Sequence, residues 1–356
     1  MQAELFDSSR KVNQLHWGVG TPPCINHQQM RELMQVTRKH FNLHDDDSGE
    51  YSIEIDPREV NRESIKLLRE IGCNRMSLGV QDFNTAVQKA VNRIQSEEQT
   101  LSALSNAREY GFKSISTDLI YGLPLQTVDS FSTTLQRIIE ISPDRISLFN
   151  YAHMPELFKP QRRINEAEMP GAEIKLTILK ESTEQLIDAG YVYIGMDHFA
   201  KPDDELFLAI DKGELHRNFQ GYTTKGGADL IGIGITSIGE GVDYYAQNFK
   251  EMAEYEAAID SGKLPFERGV VLSEDDRIRQ FVIMELMSNF KLDIKRFETL
   301  YATDFKSYFS DELEALKEFE EAELLSVSDE KIEVFATGTM LIRNIVMPFD
   351  AYMKSH

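Results

Sequence analysis

What most limits the possible folds of this chain is a regular alternation, between residues 14 and 200, of short apolar runs with longer amphipathic ones. Runs rich in β-branched and aromatic residues fall near 14–17, 51–55, 75–80, 115–121, 145–151 and 191–196. Between them, segments at 27–41, 62–71, 85–91, 97–110, 128–141 and 172–189 place apolar residues at helical spacing. Repeats of about 2 and about 3.6 residues specify strands and helices respectively. A strand, a helix long enough to cross back and another strand require parallel pairing. So many consecutive units predict an α/β chain forming a closed or partly closed (β/α) barrel, with a doubly wound open sheet as the alternative.

In such a barrel, ligand groups sit at the carboxyl ends of the strands. The polar residues obey that rule. The first run breaks at Gly18-Val19-Gly20-Thr21-Pro22-Pro23, a turn that neither a strand nor a helix can continue. The later runs end in Glu54-Ile55-Asp56, Gln81-Asp82, Asp118 with Tyr121-Gly122, Asn150-Tyr151-Ala152-His153 and Asp197-His198. Singly, an acid in such a place caps a helix and a histidine is an ordinary hydrogen bonder. Together on one rim they predict a shared ligand mouth.

At 356 residues the chain has room for a barrel over 1–200, an extension and linker over 201–272 and a helical accessory domain over 273–356. A net charge of −21 opposes nucleic acid and anionic lipid, and no apolar run reaches membrane-span length, so the expected partner is a small molecule. Cys24 and Cys73 are the chain's two cysteines, far apart and not at metal-ligand spacing, which points to a reducing, cytoplasmic setting. Against the acidic background, His216 with Arg217 and the pair Arg162-Arg163 are candidate carboxylate grips. The stretch 215–226 shows little periodicity, and 230–238 is an apolar, glycine-bearing run. The end of the chain predicts helices and a short hairpin, a winged shape with no basic stripe for nucleic acid. Residues 1–10 read as the tail of a helix, so the chain is expected to begin partway through a domain.

The segments LHWGVGTP, YSIEIDPRE, NRMSLGVQDFN, VNRIQ, DLIYGLP, DRISLFNYAHMP, YIGMDHFAKPDDEL and LHRNFQGYTT, in this order, resemble the oxygen-independent coproporphyrinogen III oxidases of the radical S-adenosylmethionine (SAM) superfamily. The resemblance implies a partial barrel of that type with a small C-terminal helical domain and wing. It implies oxidative decarboxylation of two propionates of coproporphyrinogen III to the vinyl groups of protoporphyrinogen IX, in haem biosynthesis. Two SAM molecules, a [4Fe–4S] cluster, an electron donor and a monomeric enzyme come with it. By motif, Val19, Gly20 and Thr21 form the SAM-contacting turn, Glu54 and Ile238 contact one SAM, and Gln81, Arg93, Asp118 and Ala152 match positions for the second.

Two departures stand out. Val19 replaces the family's glycine, placing a β-branched side chain in a turn that approaches the ligand. The family's CxxxCxxC cluster motif is absent, and neither Cys24 nor Cys73 can replace it. The chain as written is therefore expected to lack cluster ligands and the opening barrel strand, and to be inactive alone. The alternatives are a cluster-free SAM- or porphyrin-binding remnant or partner protein, or an acid–base barrel enzyme using Glu54, Asp118 and His198.

Overall fold

Seven strands form one sheet in Ser8–Phe207, the first of two units into which the chain divides; the second joins Met1–Asp7 to Leu208–His356. The computed structural model describes residues 1–18 and 25–353. In chain order the sheet contains β1 (Gln14–Trp17), β2 (Glu50–Ile55), β3 (Arg75–Gln81), β4 (Ser114–Tyr121), β5 (Arg145–Asn150), β6 (Val192–Gly195) and β7 (His198–Ala200). The spatial order is β1-β2-β3-β4-β5-β7-β6, and β1 to β5 run parallel. The crossovers carry α1 (His27–His40), α2 (Arg62–Glu70), α3 (Thr85–Ala90) with α4 (Glu97–Glu109), and α5 (Val128–Ile141); α6 (Ala172–Asp188) leads into β6. The result is a partial (β/α) barrel.

The helices start where side chains satisfy their free amides. Asn26 with Gln29, Ser96 with Gln99, and Thr127 with Ser130 form reciprocal caps on α1, α4 and α5. Alternation along the strands then assigns their faces. Ile53, Ile55, Met76, Leu78, Val80, Ile115, Leu119, Ile146 and Leu148 share one buried cluster with Ile65 and Leu68 of α2, Leu104 of α4, and Phe131, Leu135 and Ile138 of α5. Each such side chain contributes about 1.5–3 kcal/mol on leaving water. A parallel sheet buried on both faces would read as apolar throughout. Here the residues between these, Ser52, Glu54, Ser77, Ser116, Asp118 and Ser147, are polar, and they line the inner face.

One pairing differs from the expected all-parallel order. The chain turns back after Gly195, with Met196 at φ 51°, so that β7 runs antiparallel to β6 and inserts between it and β5. His198 thus opens a strand, in register with Ser147, where the sequence reads as the end of one.

α7 (Glu205–Lys212) carries the chain into the second unit. There β8 (His216–Asn218) and β9 (Gly221–Thr223) form a hairpin in the stretch that shows no periodicity. Gly226 lies against the His216 ring, where a Cβ would stand 2.2 Å from it. β10 (Ile238–Glu240), β11 (Tyr244–Asn248) and β12 (Phe266–Val271) form an antiparallel sheet, with α8 (Met252–Asp260) between β11 and β12. Asn248 donates to the carbonyls of Gly232 and Gly234, tying down the glycine-bearing run. The winged part comprises α9 (Glu274–Asn289), β13 (Lys291–Asp293), α10 (Ile294–Tyr301), α11 (Phe305–Tyr308), α12 (Ser310–Glu321), β14 (Leu325–Val327) and β15 (Lys331–Val334). Phe297, Phe305, Phe309 and Phe349 are buried there in edge-to-face and tilted contacts at centroid distances of 5.0–5.8 Å. Among the described residues, no helix is long and apolar enough to cross a membrane.

Candidate cofactor site

Parallel register brings the polar positions of β1 to β5 onto one inner face. His16 pairs with Ser52, Glu54 with Ser77, Gly79 with Asp118, and Asp118 with Ser147. His16 Nδ1 lies 2.7 Å from Ser52 Oγ and its Nε2 3.1 Å from Glu54 Oε1, so the imidazole braces a half-exposed carboxylate. Ser77 Oγ donates to Asp118 Oδ2 at 2.7 Å. Burial pushes the pKa of Asp118 up. Hydrogen bonds from Ser77 and Ser147 oppose that shift, the Glu54 charge adds to it, and His16 acts against it.

Beside them stands a second cluster. β3 ends in an irregularity between Gly79 and Gln81, with Gln81 in the left-handed region at φ 67°. Arg93, in the loop between α3 and α4, reaches back to donate to the Gly79 carbonyl at 2.8 Å and to Asp56 Oδ2 at 2.8 Å. Asp56 also holds the Arg58 guanidinium, at 2.7 Å, and thus bridges two cations. Burial works to raise the Asp56 carboxyl, but Arg58 and Arg93 overcome it and hold it below the usual range. A Cβ on Gly79 would stand 2.9 Å from Gln81 Nε2 and 3.1 Å from Arg93 Nη2, which shows how close those two side chains come. Gln81 Oε1 and Arg93 Nε are buried without a hydrogen-bond partner among the described residues. Such orphaned groups are costly unless something else satisfies them.

The structure thus sets Glu54 and Asp118 on the inner face of β2 and β4, with Gln81 at the carboxyl end of β3 and Arg93 reaching back to Gly79 of that strand. Ala152 lies in the loop after β5, its carbonyl accepting from Gln161 at 3.0 Å. Ile238 stands on β10 of the other unit. Val19, Gly20 and Thr21 lie outside the described residues. Asp82, another rim acid, accepts from Thr134, Asn84 and Gln126 at 2.6–2.7 Å and anchors two loops from within the protein. Sequence reasoning missed Asp56 as the brace of Arg93, and His16 as that of Glu54. The acidic run at 201–205 has the composition of a turn-rich loop. In fact Asp204 and Glu205 clamp Arg145 at 2.8 Å each, and Glu205 reaches Arg75 at 2.7 Å.

The donor set fits SAM. Carboxylates suit its hydroxyl and ammonium groups, a guanidinium suits its carboxylate, and an unsatisfied acceptor and donor wait in the wall. An iron–sulfur cluster is a different matter. Among the described residues no group of three or more His, Cys, Asp or Glu could hold a metal ion. The Cys73 thiol is buried and pushed up to about 12 by burial, and Cys24 lies outside the described residues.

Residues 1–138 match the Radical SAM superfamily and residues 272–341 the HemN C-terminal domain, so fold and comparison agree on a radical SAM protein. The oxygen-independent coproporphyrinogen III oxidase of Pseudomonas aeruginosa is 49% identical over 344 residues, covering 97% of this chain and 75% of that one. The Escherichia coli enzyme is 48% identical over 353 residues, covering 99% and 77%. The solved structure of coproporphyrinogen III oxidase (HemN) from Escherichia coli superposes with a TM-score of 0.95 at 48% identity, covering 98% of this chain and 80% of that one. The chain belongs to the family of oxygen-independent coproporphyrinogen III oxidases. That membership removes the acid–base barrel reading.

Proposed function

We propose that this chain acts in the oxygen-independent oxidative decarboxylation of two propionates of coproporphyrinogen III to vinyl groups, with SAM held at the carboxyl ends of β2 to β4. The observation that carries this reading is the convergence of Glu54, Asp118, Gln81 and Arg93 on one wall that contains an unsatisfied buried acceptor and donor. When bound, SAM supplies the hydrogen-abstracting chemistry that this superfamily uses. The chain's own residues bind and orient. Arg93, fixed by Asp56 and the Gly79 carbonyl, would take a carboxylate, Gln81 Oε1 would accept from an ammonium or hydroxyl group, and Asp118 and Glu54 would accept from further hydroxyls. Gln81, Arg93, Asp118 and Ala152 would serve one SAM, and Glu54 another.

Titration calorimetry of SAM against the chain tests the assignment. Arg93→Ala and Asp118→Ala should each weaken binding roughly 10–100-fold, the worth of a charge-assisted hydrogen bond. Wild-type affinity in both variants overturns it.

The sequence's two cysteines favour a second reading in which this polypeptide by itself binds SAM or porphyrin without a cluster. Anaerobic reconstitution with iron and sulfide separates the two. We expect no thiolate-to-iron absorption band. A stable band, lost on treatment with a thiol-blocking reagent, would discard the cluster-free reading.

A further inference from the structure

The segment between β5 and α6 exposes apolar side chains from a loop that is firmly built. Met154, Leu157 and Phe158 leave 41%, 73% and 51% of their surface accessible. Slack chain does not account for this. Gln161 accepts from the Met154 amide at 2.5 Å and donates to the Ala152 carbonyl at 3.0 Å. The amides of Leu157 and Phe158 both bond to the Met154 carbonyl, at 3.1 and 2.9 Å. Arg162 donates to the carbonyls of Pro155 and Glu156, and a turn of 3₁₀ helix over Lys159–Arg163 closes the loop. Apolar surface held out in this way marks a binding surface.

The charges beside it point to the occupant. Arg31, Arg38, Arg58, Arg69, Arg75, Arg93 and Arg145 of the same unit are each paired with a carboxylate. Arg163 and Lys159 are exposed and make no hydrogen bond or ion pair among the described residues. The same segment exposes Glu156, Glu166 and Glu168, with Glu166 3.1 Å from His153, yet none of them pairs with Arg163 or Lys159 among the described residues. Unpaired cations next to exposed apolar side chains suit a ligand that is apolar in its body and anionic at its edge. Arg162, spent on backbone carbonyls, shapes the loop and leaves Arg163 to grip.

We propose that this loop seats the tetrapyrrole, with the macrocycle on Met154, Leu157 and Phe158 and a propionate on Arg163. The inference rests on the substrate reading above. It assigns the residues that make the contact, and it places the substrate next to Ala152, the loop's first anchor and a position matched to SAM binding.

Fluorescence titration of the chain with coproporphyrin III, the stable oxidised porphyrin with four carboxylates, and with protoporphyrin IX, which has two, provides the test. The wild-type chain should bind coproporphyrin more tightly. Arg163→Glu should weaken coproporphyrin binding roughly tenfold and bring the two affinities together. Arg163→Lys should restore part of the loss, because charge returns without the planar fork. Phe158→Ser should weaken both porphyrins alike. These side chains are exposed, so thermal unfolding should not change in any variant. Unaltered coproporphyrin affinity in Arg163→Glu and Phe158→Ser, or a four-carboxylate preference that survives Arg163→Glu, overturns the assignment. Failure of the wild-type chain to bind either porphyrin strikes the substrate reading itself, and the loop's role falls with it.

Discussion

Asp118 accepts a hydrogen bond from Ser77, yet burial still raises its pKa, with Glu54 adding to the shift. A carboxyl with a raised folded-state pKa binds more protons folded than unfolded. Stability therefore falls as pH rises from the ordinary carboxylate range through the raised value. Asp118→Asn keeps an acceptor for Ser77 and removes the desolvated charge. It should unfold at a higher temperature than wild type at neutral pH, and the gap should close toward acid pH, where wild-type Asp118 is protonated. A constant gap across that range would show that the native carboxylate carries no desolvation penalty. The same variant should bind SAM less well, the trade expected where a site is built at the expense of stability. Asp56 is the opposite case. Its pKa is lowered, so its contribution is present above the ordinary carboxylate range and is lost as pH falls.

Elements whose local pattern and tertiary role agree could be read from the sequence. The spacing in 128–141 marks α5 to the residue, and the strand alternation separates the core-facing Ile53, Met76 and Leu119 from the inward Glu54, Ser77 and Asp118. What stayed hidden depended on partners distant in sequence. Nothing in Gly195-Met196-Asp197 announces a hairpin, since Met is not a residue that favours the left-handed region, so β7 could not be foreseen. Asp56 is visible as a rim acid, but its bridging of Arg58 and Arg93 exists only after folding. Asp204 and Glu205 look like a solvated turn, and only the sheet supplies the arginines they clamp. The Asp204 side chain is 7% exposed and that of Arg145 19%, so the pair is largely withdrawn from solvent. Removing one partner of a buried pair costs about 3–5 kcal/mol. Asp204→Ala should therefore destabilise the barrel by about 3 kcal/mol, the lower end, because Glu205 still pairs with Arg145. Urea unfolding checks this, and a loss within about 0.5 kcal/mol, typical of surface substitutions, would place the pair in solvent-like surroundings.

For the whole molecule the dominant fact is the charge of −21. An anionic tetrapyrrole approaches such a chain against a repulsive field, and at the loop after β5 it meets the positive charges of Arg163 and Lys159. Long-range repulsion is screened over about 8–10 Å at physiological salt, whereas a contact ion pair at the docked surface is screened much less. The two effects therefore separate in kinetics. The association rate of coproporphyrin III should rise as salt is added from low ionic strength, because the opposing field weakens before the grip does. The dissociation rate should change less. Arg163→Glu should slow association and steepen its salt dependence, since it replaces a positive charge with a negative one as well as removing the contact. Stopped-flow fluorescence on the wild type and the variant measures both rates. An association rate that falls with added salt in the wild type would mean that local attraction outweighs the net field, and the expectation of a repulsive approach would fail.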